Sequence, residues 1–251
     1  MCASVSAEYI DRMVSKRVRG GAAMNLLTRM FTPPSQCVIC AAWPAQTFCD
    51  LCVRSFARPA ARCHTCAISV PDGVPQCGAC VRNPPLLGAC HVAISYEAPW
   101  DRCIRDFKFH AQPGLAWPLA LLMRSAPWIE PELDTADWLI PMPLAIGRLR
   151  ERGYNQAALL ARALDGSKCR TDLLQRIRET SPQSSQDRAT RLTALRGAFA
   201  ANPRQLPSLR GATVVLVDDV ITTGASLHAA ATALLDAGVL RVTAIAVART
   251  P

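Results

Sequence analysis

Histidine is scarce in this 251-residue chain, with only four copies. His91, His110 and His228 stand apart from one another, as packing or surface residues rather than catalytic bases. No uninterrupted apolar run reaches the roughly 18 residues a membrane span requires, so membrane insertion is not expected. The chain does not open with a signal peptide, because no apolar stretch follows Lys16, Arg17 and Arg19. Residues 1–34 read as a tail, frayed or disordered, with Met13 and Met24 as alternative starts. No segment is of low complexity. Acidic residues are in the minority, 19 against 28 Lys and Arg, for a net charge of +9. That balance suits an anionic partner, a nucleic acid or a phosphorylated metabolite, and it equally suits arginine used simply for solubility.

Half of the residues are apolar, enough for a sizeable core. The paired cysteines all fall between Cys37 and Cys80, and the texture changes after Pro84-Pro85. We expect a small module at about 35–85 and a larger α/β domain at about 90–251. Within the latter, residues 91–97, 138–140, 214–217 and 242–247 read as apolar strands. Residues 100–109, 115–123, 154–164 and 226–237 read as helices, with Gly166 and Gly238 placed to cap the last two. Apolar strands alternating with helices imply a parallel sheet covered on both faces. Residues 178–197 are polar and Arg-rich, a mobile-loop candidate, and 202–211 read as a plain connector.

Twelve cysteines without a signal peptide point to reduced, metal-bound thiols in a cytoplasm rather than to disulfides. The pairs are Cys37/Cys40, Cys49/Cys52, Cys63/Cys66 and Cys77/Cys80. Each CxxC offers two thiolates from one tight turn, and two turns complete a tetrahedral zinc site with metal–sulfur distances of roughly 2.3 Å. Four knuckles supply two such sites. With no ligand position left to water, both are structural, and the metal supplies folding free energy that so short a segment lacks. The first two knuckles pair most simply with each other, and the last two likewise; interleaved pairing stays open. Cys2, Cys90, Cys103 and Cys169 have no partners in sequence and read as packing residues.

The richest stretch is VVLVDDVITTGAS, residues 214–226. A buried strand carries Asp218 and Asp219 to its carboxyl end, where ligands of open α/β sheets collect. Two adjacent carboxylates are costly to bury unless a cation or hydroxyls meet them. Thr222, Thr223 and Gly224 then open a helix, aiming free N–H groups and hydroxyls at one spot suited to a phosphate. Taken singly, each residue suits an exposed acidic turn with a helix cap. In this order they describe a site for a ribose 5-phosphate.

This stretch resembles the phosphoribosyl pyrophosphate motif of type I phosphoribosyltransferases. With four CxxC knuckles ahead of it, the chain resembles the competence protein F (ComF, GntX-like) family, a double zinc ribbon on such a domain. PMPLAIGRLRERGYNQA, residues 141–157, is similar to that family's Pro-x-Pro…Arg…Arg-Gly-Phe-Asn-Gln block. The run from Arg178 to Phe199, with Gln183, Arg188, Arg191 and Arg196, is similar to its Arg-rich loop. Tyr154 stands where Phe is usual and Ser226 where Thr is usual, each keeping the aromatic or the hydroxyl.

The resemblance implies that Asp218 and Asp219 hold the ribose hydroxyls and that Thr222, Thr223, Gly224, Ala225 and Ser226 cradle the 5-phosphate. It places Arg148 and Arg152 on the pyrophosphate side, with Mg²⁺ bridging ligand oxygens and the Arg-rich loop closing over them. It further implies a transferase of unknown acceptor acting in DNA uptake, in contact with single-stranded DNA and uptake proteins. A non-catalytic DNA-binding protein or a scaffold is the alternative. Lys108, in FKFH, is either an added positive charge in this pocket or a surface lysine. Trp43, Phe48 and Phe56, near the cysteines, are either small-module core or a platform for bases.

Overall fold

The computed structural model describes residues 35–178 and 197–251; the expected tail lies outside them, as do Gln183, Arg188, Arg191 and Arg196. In chain order the strands are β1 (Ala89–Ser95), β2 (Trp138–Pro141), β3 (Leu174–Arg176), β4 (Phe199–Ala201), β5 (Thr213–Ile221) and β6 (Arg241–Arg249). The helices are α1 (Asp50–Phe56), α2 (Gly78–Arg82), α3 (Trp100–Phe109), α4 (Ala116–Ser125), α5 (Ile129–Thr135), α6 (Ile146–Arg152), α7 (Gln156–Asp165), α8 (Leu206–Leu209) and α9 (Ala225–Asp236).

β1, β6, β5 and β2 lie side by side in that order, all parallel. Sequence explains the placement of the two central strands. Val214 through Val217 are fully buried, as are Ala244 through Ala248, so both faces of β5 and β6 must be covered. Alternation then sorts the side chains. Val215, Val217, Ile245 and Val247 join α3, α4, α5 and α7 in one core; Val214, Leu216, Ala244 and Ala246 join α9 in the other. β3 and β4 form a separate antiparallel pair, with Arg176 opposite Phe199.

The cysteine-bearing segment is built into this sandwich. Phe48 meets Trp100 edge-on at 5.2 Å, and the Trp100 indole N–H donates to the Phe56 carbonyl at 2.9 Å. Val53 and Ala57 enter the first core, and Ala67 enters the second. The Cys90 N–H donates to the His64 carbonyl at 2.8 Å.

Several expectations shift by a residue or two. β1 starts at Ala89 rather than His91, and β5 runs past the carboxylate pair to Ile221. α7 starts at Gln156, because the Asn155 side chain accepts from the Ala158 N–H and so caps it. The expected connector at 202–211 contains a tight turn at Pro203–Gln205 and then α8. α5 and α6 were not visible as helices: one holds Pro131 and the other is a short charged run beginning at Ile146. Among the described residues no helix is long and apolar enough to cross a membrane.

Trp100 is 1% exposed and joins the two parts of the chain. Trp100→Ala is expected to cost about 3–5 kcal/mol, read as a lower midpoint in urea denaturation.

Candidate functional site

The cysteines form two groups. Cys37, Cys40, Cys49 and Cys52 bring their sulfurs within 4.8 Å of one another, and so do Cys63, Cys66, Cys77 and Cys80. Pairing is therefore sequential, not interleaved. Both groups follow one local plan. In the first knuckle of each, an alanine takes a left-handed turn, Ala41 at φ 59° and Ala67 at φ 57°. Its N–H returns to the carbonyl of the opening cysteine at 2.8 Å in both cases. The second knuckle starts a helix, with Cys49 and Cys77 at the N-cap positions of α1 and α2; the Cys49 sulfur accepts from the Cys52 N–H.

The thiols of a group differ in acidity. Burial disfavours the Cys37 thiolate, yet the N–H groups of Cys40, Cys49 and Ile39 bring it down to about 6. Cys63 also falls to about 6, where the Thr65 hydroxyl and the Cys77 N–H outweigh burial. Cys52 and Cys66 are pushed up by burial and by the neighbouring thiols. A divalent cation resolves such crowding, so each group fits a closed four-thiolate zinc site. Burial pushes Cys90 up to about 12 and Cys103 up to about 11, in keeping with packing thiols.

The second site gathers at the carboxyl end of β5. Asp219 continues the row of Val215 and Val217, and on that side the Lys108 ammonium meets its Oδ1 at 3.0 Å. Lys108 keeps 19% of its side-chain exposure, so it belongs to this site and is not a surface lysine. The Asp218 carboxyl is pushed up to about 8, by burial first and then by the charge of Asp219, with Lys108 acting the other way. Each carboxylate also accepts from the next backbone N–H, Asp219 to Asp218 at 2.9 Å and Val220 to Asp219 at 2.7 Å.

Past Ile221 the chain turns through Thr222, Thr223 and Gly224 into α9. Gly224 stands at φ 77°, where an L side chain is strained, and the His228 N–H opens the helix by donating to its carbonyl at 3.0 Å. Thr223 Oγ1 accepts from the Ala225 N–H at 3.3 Å. Ala225 is buried and Ser226 half-buried. First-turn N–H groups have no partner within their own helix, which makes this corner a cradle for an anion.

Residues 141–157 lie alongside. The Met142 N–H donates to the Val217 carbonyl at 2.9 Å, and Asn155 Nδ2 donates back to the Met142 carbonyl at 3.0 Å. Gly153, at φ 78°, ends α6. Arg152 stacks 4.7 Å from the centre of the Phe109 ring and donates to Gln156 Oε1 at 3.2 Å. Gln156 is 1% exposed, and its amide N–H donates to the Lys108 carbonyl at 3.4 Å. The Tyr154 hydroxyl donates to the Phe107 carbonyl. Arg152 is thereby tied to the segment that holds Lys108, whereas Arg148 is exposed on α6 and makes no such link among the described residues. Of the Arg-rich stretch, Arg178 and Gly197 onward are described, and the Ile177 N–H donates to the Ala198 carbonyl at 2.9 Å. Gln156 entered the sequence reading only as a member of the 141–157 block, and Phe109 was assigned no role; neither residue type marks a site by itself.

A parallel sheet with an aspartate pair and a Thr-Thr-Gly turn at one strand end defines a phosphoribosyltransferase-type domain, here carrying two four-cysteine groups. The phosphoribosyl transferase domain family matches residues 149–251. "DNA utilization protein YhgH" of Salmonella typhimurium is 27% identical over 230 residues, 88% of this chain and 100% of that protein. "Competence protein F" of Haemophilus influenzae is 31% identical over 175 residues, 66% of this chain and 75% of that one. "Competence protein ComFC" of Bacillus subtilis is 38% identical over 100 residues, 40% and 39% of the two chains. The chain belongs to the competence protein F family.

Two outcomes are expected. Stripping zinc from the metal-loaded protein should open residues 35–82 to amide hydrogen exchange while β5 and β6 stay protected. Asp218 holds its proton from about pH 3.8 up to about 8 in the folded chain but releases it in the unfolded one, so its contribution to stability falls as pH rises through that window. Asp218→Asn should therefore raise the melting temperature at pH 8 and change it little near pH 4.

Proposed function

We propose that this chain binds phosphoribosyl pyrophosphate with Mg²⁺ at the end of β5 and transfers its phosphoribosyl group to an acceptor. The observation that carries this reading is the contiguity of the carboxylate pair with the Gly224 corner. Asp218 and Asp219 take the vicinal ribose hydroxyls, which add hydrogen bonds to a pair in which Asp219 already meets Lys108. The turn from Thr222 to Ser226 takes the 5-phosphate on its N–H groups and hydroxyls. Arg152, and Arg148 one turn earlier on the same helix, face the pyrophosphate. Bound with the ligand, Mg²⁺ would supply charge neutralisation to the pyrophosphate. No side-chain nucleophile is needed: the protein orients the ligand and stabilises the leaving charge. Zinc in both four-cysteine groups keeps residues 35–85 folded, so that Phe48, Val53, Ala57 and Ala67 can pack into the cores of the domain at 90–251. Relatives named for competence and DNA utilization support a role in the handling of incoming DNA.

Calorimetric titration of phosphoribosyl pyrophosphate and Mg²⁺ into zinc-loaded protein tests this. Wild type is expected to bind, and Asp218→Ala/Asp219→Ala to weaken binding by about 100-fold or more. A well-folded wild type without binding would sink the reading.

A second reading, contact with single-stranded DNA, is favoured by one feature of the first cysteine group. Phe48 is core, but Trp43 is 64% and Phe56 is 50% exposed, with exposed Arg54 and Arg58 close by in sequence. Exposed rings and arginines are what bases and backbone phosphates recognise. Trp43→Ala/Phe56→Ala should lower affinity for a labelled oligonucleotide about tenfold by anisotropy, with a steep fall as salt is added. An unchanged affinity would exclude these rings as the platform.

A further inference from the structure

Arg249, the last residue of β6, is 7% exposed, and its guanidinium spans two places that lie far apart in sequence. Nε donates to the Cys66 carbonyl at 3.1 Å. Nη1 donates to the Ile221 carbonyl at 3.2 Å, and to the carbonyl and hydroxyl of Thr250 at 2.9 and 3.1 Å. Backbone pairing pins the same point, since the Thr250 N–H also donates to the Ile221 carbonyl, at 3.0 Å.

The two ends of this link differ in kind. Cys66 belongs to the second thiol group, directly before the left-handed Ala67. Ile221 is the residue from which the Thr222-Thr223-Gly224 turn departs. One planar fork thus grips the backbone of a metal knuckle and the root of the anion cradle.

We propose that Arg249 is a positioning residue through which metal in the Cys63, Cys66, Cys77 and Cys80 group sets the affinity of the β5 corner for its phosphorylated ligand. This rests on the binding reading above. Metal fixes the Cys66 carbonyl; without it the knuckle opens and a buried guanidinium donor loses its acceptor. An unmatched buried donor is costly, so the side chain turns away to find another partner and gives up Ile221 as it does. The turn then loses its side-chain anchor and keeps only the backbone bond from Thr250. Lysine cannot replace the fork, because one ammonium on a flexible stem does not present two donors at a fixed spacing. Coupling of this sort is reciprocal in affinity: the ligand must also tighten metal binding, which we expect to read out as slower metal release.

The test uses the zinc-loaded full chain. Release of zinc from the second group to a chromogenic chelator is timed with and without phosphoribosyl pyrophosphate and Mg²⁺, in a Cys40→Ser background that weakens the first group. We expect ligand to slow release about tenfold, and Arg249→Gln and Arg249→Lys to abolish that slowing. Calorimetry supplies the other half. Cys63→Ser/Cys77→Ser and Arg249→Gln should each weaken ligand binding about tenfold, and their combination no further. Additive losses, or unchanged affinity after the second group is disabled, would overturn the coupling while leaving the binding reading intact. Should wild type not bind ligand, zinc release from the ligand-free proteins still decides. A several-fold faster release in Arg249→Gln supports the staple, and equal rates remove it.

Discussion

Two neighbouring carboxylates on a strand that is apolar on both faces need a cation, and the Lys108–Asp219 ion pair provides it. Much of the molecule serves to hold that lysine in place. It sits near the end of α3, and α3 is gripped at its start by Phe48 and Phe56 from the cysteine segment, through Trp100. At the other end Gln156 and Tyr154 bond to the backbone of Phe107 and Lys108. The 141–157 block is thus a brace for α3 as well as a source of arginines, and the sheet's charged end is stabilised from both sides.

The cysteine segment has too few apolar residues for a core of its own. It compensates in two ways. Its thiol groups provide local cross-linking points, and the few apolar residues it has are lent to the larger domain's cores. Phe48 is core in this setting because it meets Trp100, whereas Trp43 stays exposed.

Local chemistry was legible in the sequence, and distances between remote segments were not. The apolar run at 214–217, the Asp-Asp pair, the Thr-Thr-Gly turn and the four CxxC knuckles each state their own geometry, because the backbone within a few residues dictates it. Lys108 stood undecided because FKFH reads alike on a surface or in a pocket. Only the packing of α3 against β5 separates the two. Arg249 gave no hint and Gln156 stood out only as a member of the 141–157 block, since the role of a buried polar residue is recognisable only through partners brought near by the fold. Short helices such as α5 and α6 escaped because Pro131 and a run of charges mask their periodicity, and neighbours rather than propensity stabilise them.

The repeated plan of the two thiol groups separates what must be kept from what is free to drift. Eight residues lie between Cys40 and Cys49 and ten between Cys66 and Cys77, yet the sulfurs close to within 4.8 Å in both. The left-handed alanine and the helix-starting cysteine fix each corner, and the spacer merely returns the chain. Insertions in those spacers can therefore accumulate without moving a sulfur. In this segment spacer length is a geometrically loose quantity and the four corners are a strict one.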